Sequence, residues 1–182
     1  MNFDTLERRG LILLGCGKMG SAMLAGWLDK GLPAGAVHIL DPKPSRWLRN
    51  LASKGVHLNQ SVPSSPAVAL VAIKPQVIGD ALPRLQALGN GETLFVSVAA
   101  GTPISILEAI LGDRTPIVRA MPNTPASVGK GITALIGNAR ISDGQLDLAE
   151  ALLGAVGQTV RLADEGQMDA VTAVSGSGPA YV

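Results

Sequence analysis

Residues 15–20 read Gly-Cys-Gly-Lys-Met-Gly, and their flanks restrict the fold more than any other stretch of the chain. Ahead lies the apolar run Leu11-Ile12-Leu13-Leu14, of a length that suits a buried strand. Behind, Met19, Ala22, Met23, Gly26 and Trp27 recur at helical spacing, and Gly31 can end that helix. Val37-His38-Ile39-Leu40-Asp41 then reads as a second strand closed by Pro42, with its acidic end 21 residues after Gly20. Strand, G-x-G-x-x-G turn, helix and acid-ended strand together make a dinucleotide-binding unit. Gly15 permits the tight turn, Gly17 lets backbone approach a pyrophosphate, and Gly20 lets helix and strand pack closely. The helix N-terminus offers N–H groups and partial positive charge to phosphate. Gly15, Cys16, Gly17, Lys18, Met19 and Gly20 are therefore the candidate phosphate cradle. An ordinary glycine turn is the competing reading, and the flanks argue against it.

The same alternation continues. A polar helix is expected over residues 45–53, a strand over 68–73, and a helix over 76–88 in which Pro83 is a kink or break. Further strands are expected at 94–98, 116–120, 132–136 and 158–162. Thr102-Pro103 opens one helix, and Ser142 or Asp143 caps another that runs to Leu153. The fold class is α/β: a Rossmann-like, doubly wound, mainly parallel sheet, followed by the start of a helical domain. The composition turns polar at Asp164 and helical again over 168–174. This divides the chain into a dinucleotide domain at 1–165 and, at 166–182, a linker with the first turns of a second domain.

Composition narrows the function. The 182 residues are 47% hydrophobic, enough for one core plus the start of another domain. A net charge of +1, 16% charged residues and 3% aromatics argue against a nucleic-acid partner. Cys16 is the one cysteine, so the chain forms no internal disulfide, which fits a reducing compartment. Asp4, Glu7, Arg8 and Arg9 are unlike a signal peptide, and no run reaches membrane-spanning length. A soluble cytoplasmic protein with no membrane partner is expected. His38 and His57 stand alone, so no metal site is expected and both read as structural. Trp27 and Trp47 are expected to pack on the sheet. Cys16 reads as a small residue under the turn rather than an activated thiol.

Cofactor choice stays open between two signals. Asp41 would accept hydrogen bonds from the adenosine ribose, which favours NAD. Lys43 and Arg46, with Ser45 between them, would pair with a 2′-phosphate, which favours NADP; a solvated helix start is an equal reading. Lys74 and Asn123 follow strands directly, where open parallel sheets place their ligand crevice. Pro122 and Pro125 stiffen a loop that would present Asn123 and Thr124; a rigid turn is the plainer alternative, as a solvated strand end is for Lys74.

Four segments carry a resemblance beyond the generic domain: Ala72-Ile73-Lys74-Pro75, residues 96–101 (Val-Ser-Val-Ala-Ala-Gly), residues 119–125 (Arg-Ala-Met-Pro-Asn-Thr-Pro) and residues 175–181 (Ser-Gly-Ser-Gly-Pro-Ala-Tyr). In this order the chain resembles pyrroline-5-carboxylate reductase from about Leu11 to Val182. The resemblance implies reduction of 1-pyrroline-5-carboxylate to L-proline, the last step of proline biosynthesis, by hydride from NADPH, with NADH possible. It implies that Lys43 and Ser45 lie on the adenosine 2′ side and that Asn59 contacts the cofactor. Lys74 and Pro75 would hold it near the nicotinamide end, and Ala72 and Ala100 would make further cofactor contacts. Residues 121–124 would floor the nicotinamide site, and 175–178 would open a long helix into the second domain. Lys74, Asn123, Thr124 and Ser175 are the catalytic candidates, without an assigned role. Family members continue into a helical domain that interlocks to form homo-oligomers and supplies much of the cyclic imino acid's pocket; this chain stops where that domain should begin. No general acid stands out, so a water, or a hydroxyl from that domain, would donate the proton. Two rivals remain: an oxidoreductase of the β-hydroxyacid dehydrogenase type, and a dinucleotide-binding module without turnover.

Overall fold

Apolar runs without alternation suit strands covered on both faces, and this is how the chain uses them. The structure, a computed structural model, describes residues 3–176. Among these residues eight strands, β1 (Leu11–Leu14), β2 (Val37–Leu40), β3 (His57–Leu58), β4 (Val68–Val71), β5 (Leu94–Ser97), β6 (Ile117–Pro122), β7 (Gly131–Gly137) and β8 (Gly157–Arg161), form one sheet. Its order is β3-β2-β1-β4-β5-β6-β7-β8. Strands β1 to β6 are mutually parallel, β7 runs antiparallel to β6, and β8 runs parallel to β7. The order reverses at β1, with β2 on one side and β4 on the other, so a crevice opens beyond the carboxyl ends of these strands.

Among the described residues, seven α-helices accompany the sheet: α1 (Asp4–Arg9), α2 (Lys18–Asp29), α3 (Arg46–Ala52), α4 (Ile78–Ala81), α5 (Ile104–Leu111), α6 (Asp143–Leu153) and α7 (Gln167–Val171). Strand β1 shows how they pack. Leu11 and Leu13 enter a core with Met23, Leu24 and Trp27 of α2 and Leu152 and Leu153 of α6. Ile12 and Leu14 point the other way, to Ile78 of α4 and Leu107 and Leu111 of α5. The period-2 pleat thus feeds two cores from one short run. Trp27 is fully buried, and its indole N–H donates to the Leu152 carbonyl at 2.9 Å.

One expectation needs correction and others are refined. Trp47 does not pack on the sheet; it is 39% exposed, because its neighbour Leu48 takes the inward face of α3. The helix expected over 76–88 is broken into a 3-10 turn (Pro75–Val77), α4, and a second 3-10 stretch (Leu82–Leu88). Pro83 lacks the N–H that would continue the α-helical ladder. The helix expected over 168–174 is present, as α7 to Val171 and then as a π-helical turn, Thr172–Gly176. Ser142 is the cap of α6, within a full capping box with Gln145. Helix α1 and strand β3 are additions to the sequence reading.

Strand β3 places His57 beside His38 in register, and the rings stack with centroids 4.4 Å apart. Burial, then the neighbouring His57, holds His38 below its ordinary 6.5; a hydrogen bond with the Ser61 backbone pulls more weakly the other way. The folded state therefore disfavours the His38 proton that the unfolded chain takes up readily. Stability is fully present above the unfolded value and is lost as pH falls below it. The urea midpoint of the protein should fall on acidification from neutral pH, and His38→Phe should flatten that slope. An unchanged slope in the variant would assign the acid sensitivity to other groups.

Candidate dinucleotide site

The glycine turn sits at the end of β1, and each glycine has its own reason. Gly15 has φ +86°, and a Cβ there would lie 2.5 Å from Ile73 Cγ2 and 2.8 Å from the Ala72 carbonyl oxygen. A Cβ on Gly20 would lie 2.6 Å from the Gly15 carbonyl oxygen. These two glycines let strand and helix meet. Gly17 differs: it is extended, it precedes α2 without a side-chain cap, and a Cβ on it would meet nothing within 4 Å. Its neighbourhood is open space in front of the helix N-terminus. Helix α2 has no acidic residue in its first turn, so nothing there repels an anion. Gly17 and Lys18 are exposed and Met19 is half-buried. A pyrophosphate fits this cradle.

Cys16 is buried beneath the turn. Burial pushes its thiol up from the ordinary range; a hydrogen bond with Ser21 opposes this, and the Asp41 charge adds to it. The residue packs, and it is not an activated nucleophile.

Asp41 follows β2 directly. Its Oδ2 accepts from the Cys16 N–H at 2.8 Å and its Oδ1 from the Lys43 N–H at 2.7 Å. The carboxylate therefore clasps the glycine turn to the end of β2. Asn59, at φ +52°, braces the same point: its Oδ1 accepts from the Asp41 N–H and its Nδ2 donates to the Asp41 carbonyl. Ser45 caps α3, accepting from the Leu48 N–H at 3.1 Å. Lys43 and Arg46 are exposed, and neither has an ion-pair partner among the described residues.

The remaining candidates gather beyond β4, β5 and β6. Ala72 donates its N–H to the Leu14 carbonyl at 2.8 Å. Lys74 is exposed and precedes the turn that Pro75 opens. Ala100 is exposed beside Gly101, which has φ +68° and open space where a Cβ would stand. Asn123 is 7% exposed, and its Oδ1 accepts from the Ile132 N–H at 2.9 Å, tying the loop after β6 to β7. Thr124 is exposed at the start of a 3-10 turn. Ser175 lies in the π-helical turn, and the segment 177–182, with Pro179, lies outside the described residues. Two residues of this region were not anticipated as partners, Arg119 and Glu165; the signal for the first is an arginine inside an apolar strand. Among the described residues no three His, Cys, Asp or Glu side chains gather as a metal site, and no helix is long and apolar enough to cross a membrane.

A family model described as NADP oxidoreductase, coenzyme F420-dependent, matches residues 10–101. A curated pyrroline-5-carboxylate reductase of Pseudomonas aeruginosa is 39% identical over 174 residues, covering 94% of this chain and 64% of the relative. The chain belongs to the pyrroline-5-carboxylate reductase family. Two solved members of that family superpose closely. That of Coxiella burnetii gives a TM-score of 0.88 at 32% identity, covering 95% of this chain and 66% of that one. That of Plasmodium falciparum, solved with NADP bound, gives 0.82 at 26% identity, covering 96% and 65%. The chain thus spans about two thirds of the length of the reductases it matches.

Proposed function

We propose that this chain carries the cofactor-binding part of the reduction of 1-pyrroline-5-carboxylate to L-proline, with NADPH as the preferred reductant. The observation that carries the reading is the open cradle at Gly17, set at the switch point of a sheet shared with pyrroline-5-carboxylate reductases. A dinucleotide held by that cradle would supply a hydride to the C=N carbon of the cyclic imine, with the nitrogen taking a proton from water. The chain's own residues bind and orient. Residues 15–20 receive the pyrophosphate, and Lys43, Ser45 and Arg46 form the adenosine end. Lys74, Ala100, Asn123 and Thr124 border the reacting end, where positioning supplies much of the rate. We place the division between cofactor domain and second domain near residue 165, and the enzyme in the cytoplasm, where one buried thiol needs no disulfide partner. NADPH oxidation measured with pyrroline-5-carboxylate, beside a cofactor titration, tests the proposal. Turnover supports it, and failure of both dinucleotides to bind sinks it.

The reading also includes self-association. Ile132 and Ala134 of β7, Val160 of β8, and Ala170, Val171 and Val174 line an apolar groove of about 360 Å³. Ile132, Val160 and Val174 are 39%, 42% and 76% exposed. We take this apolar face as the surface of self-association. Light scattering should give a mass that rises with concentration, and Val160→Asp should suppress the rise. A monomer mass independent of concentration would count against the association.

A further inference from the structure

Strand β6 is apolar where it is buried, apart from Arg119, whose side chain is only 7% exposed. A guanidinium inside a sheet loses its hydration and needs a strong partner. Arg119 Nη1 donates to Glu165 Oε1 at 2.7 Å, and its Nη2 lies 4.0 Å from Asp169 Oδ1, on a side chain that is 90% exposed. The same Glu165 oxygen accepts the Ile104 N–H at 2.9 Å. Ile104 begins α5, and Pro103 before it gives that helix no side-chain cap. One carboxylate oxygen therefore joins three segments: the interior of β6, the start of α5, and the link from β8 to α7.

The positions along the chain give this junction its meaning. Ala100 and Gly101 precede Ile104 in the loop from β5 to α5, and Met121 and Asn123 follow Arg119 at the end of β6. These two loops border the nicotinamide end of the crevice in the reading above, on which this inference rests. The adenosine end, at Lys43, Ser45 and Arg46, lies across the sheet beyond β2, and no contact of Glu165 reaches it. We infer that Arg119 and Glu165 are a positioning pair that sets the spacing of the β5–α5 and β6 loops, and so governs the nicotinamide end of the site without touching the adenosine end.

The test separates the two ends. Calorimetric titration of the 182-residue chain uses NADPH, which spans both, and 2′,5′-ADP, which occupies only the adenosine end. Glu165→Ala should weaken NADPH about tenfold, the scale of one lost charge-assisted hydrogen bond, and leave 2′,5′-ADP unchanged within about twofold. Glu165→Gln keeps an oxygen that accepts both N–H groups but loses the charge, and should weaken NADPH by about threefold, a partial rescue. Circular dichroism confirms that each variant is folded; should Glu165→Ala not fold, the Gln variant decides, and wild-type NADPH affinity in it overturns the pair. Equal weakening of both ligands in a folded variant also overturns the pair, because that is the mark of a general loss of structure. A wild-type chain that binds neither ligand overturns the cofactor reading and the pair with it. Wild-type binding that persists unaltered in Glu165→Ala overturns the pair alone.

Discussion

Gly17→Val should weaken NADPH binding about a hundredfold and leave thermal stability unchanged, a loss of about 2.7 kcal/mol of binding free energy. The backbone of Gly17, at φ −71° and ψ −158°, is extended with a negative φ, and a Cβ there meets no protein atom within 4 Å. The fold has no use for glycine at this position, so its value lies in the space it leaves before the first turn of α2. A branched side chain fills that space and keeps phosphate oxygens from the helix N–H groups. Gly20→Val should behave in the opposite way. Its Cβ would sit 2.6 Å from the Gly15 carbonyl oxygen, a backbone atom that cannot swing aside. Overpacking of that kind costs about 1–3 kcal/mol of stability. Thermal scans and NADPH titrations of the two variants make the comparison. If Gly17→Val bound NADPH like the wild type, the turn would not be the phosphate cradle.

That contrast shows how far sequence carries. The shape of the glycine turn was legible because it rests on backbone geometry that only glycine satisfies at Gly15 and Gly20. Strands β1, β4 and β5 were legible because burial on both faces leaves an unbroken apolar run. Strand β3 has two residues, too few for any period to show, and α1 hides Leu6 among charges. Trp47 failed for a different reason: hydrophobicity says a side chain prefers burial, but the helix face decides, and Leu48 already occupies it. Within the site, the missing information was pairing. Nothing local says that Asp41 meets the Cys16 N–H 25 residues back, or that Arg119 finds Glu165 across 46 residues. Such contacts depend on the sheet order, which periodicity does not encode.

The Asp41 clasp changes how cofactor choice should be read. An acid after the second strand ordinarily favours NAD by accepting from the ribose hydroxyls. Here both carboxylate oxygens already accept backbone N–H groups, from Cys16 and Lys43, and charge-assisted bonds of this kind hold firmly. Lys43 and Arg46 stand exposed beside it with no ion-pair partner among the described residues. In the function proposed above, a 2′-phosphate would supply that partner. Replacing both with glutamine should weaken NADPH about a hundredfold, a combined loss of about 2.7 kcal/mol, and should leave NADH nearly unchanged. The preference should also shrink with added salt, since exposed charges are screened. Asp41→Asn should act differently, weakening NADPH and NADH together by about tenfold, because the turn that both share loses part of its clasp. Parallel titrations of the three proteins with the two cofactors decide the matter. An Asp41→Asn variant that lost NADH alone would make Asp41 a ribose acceptor, and the clasp would then be only the resting arrangement of the same carboxylate.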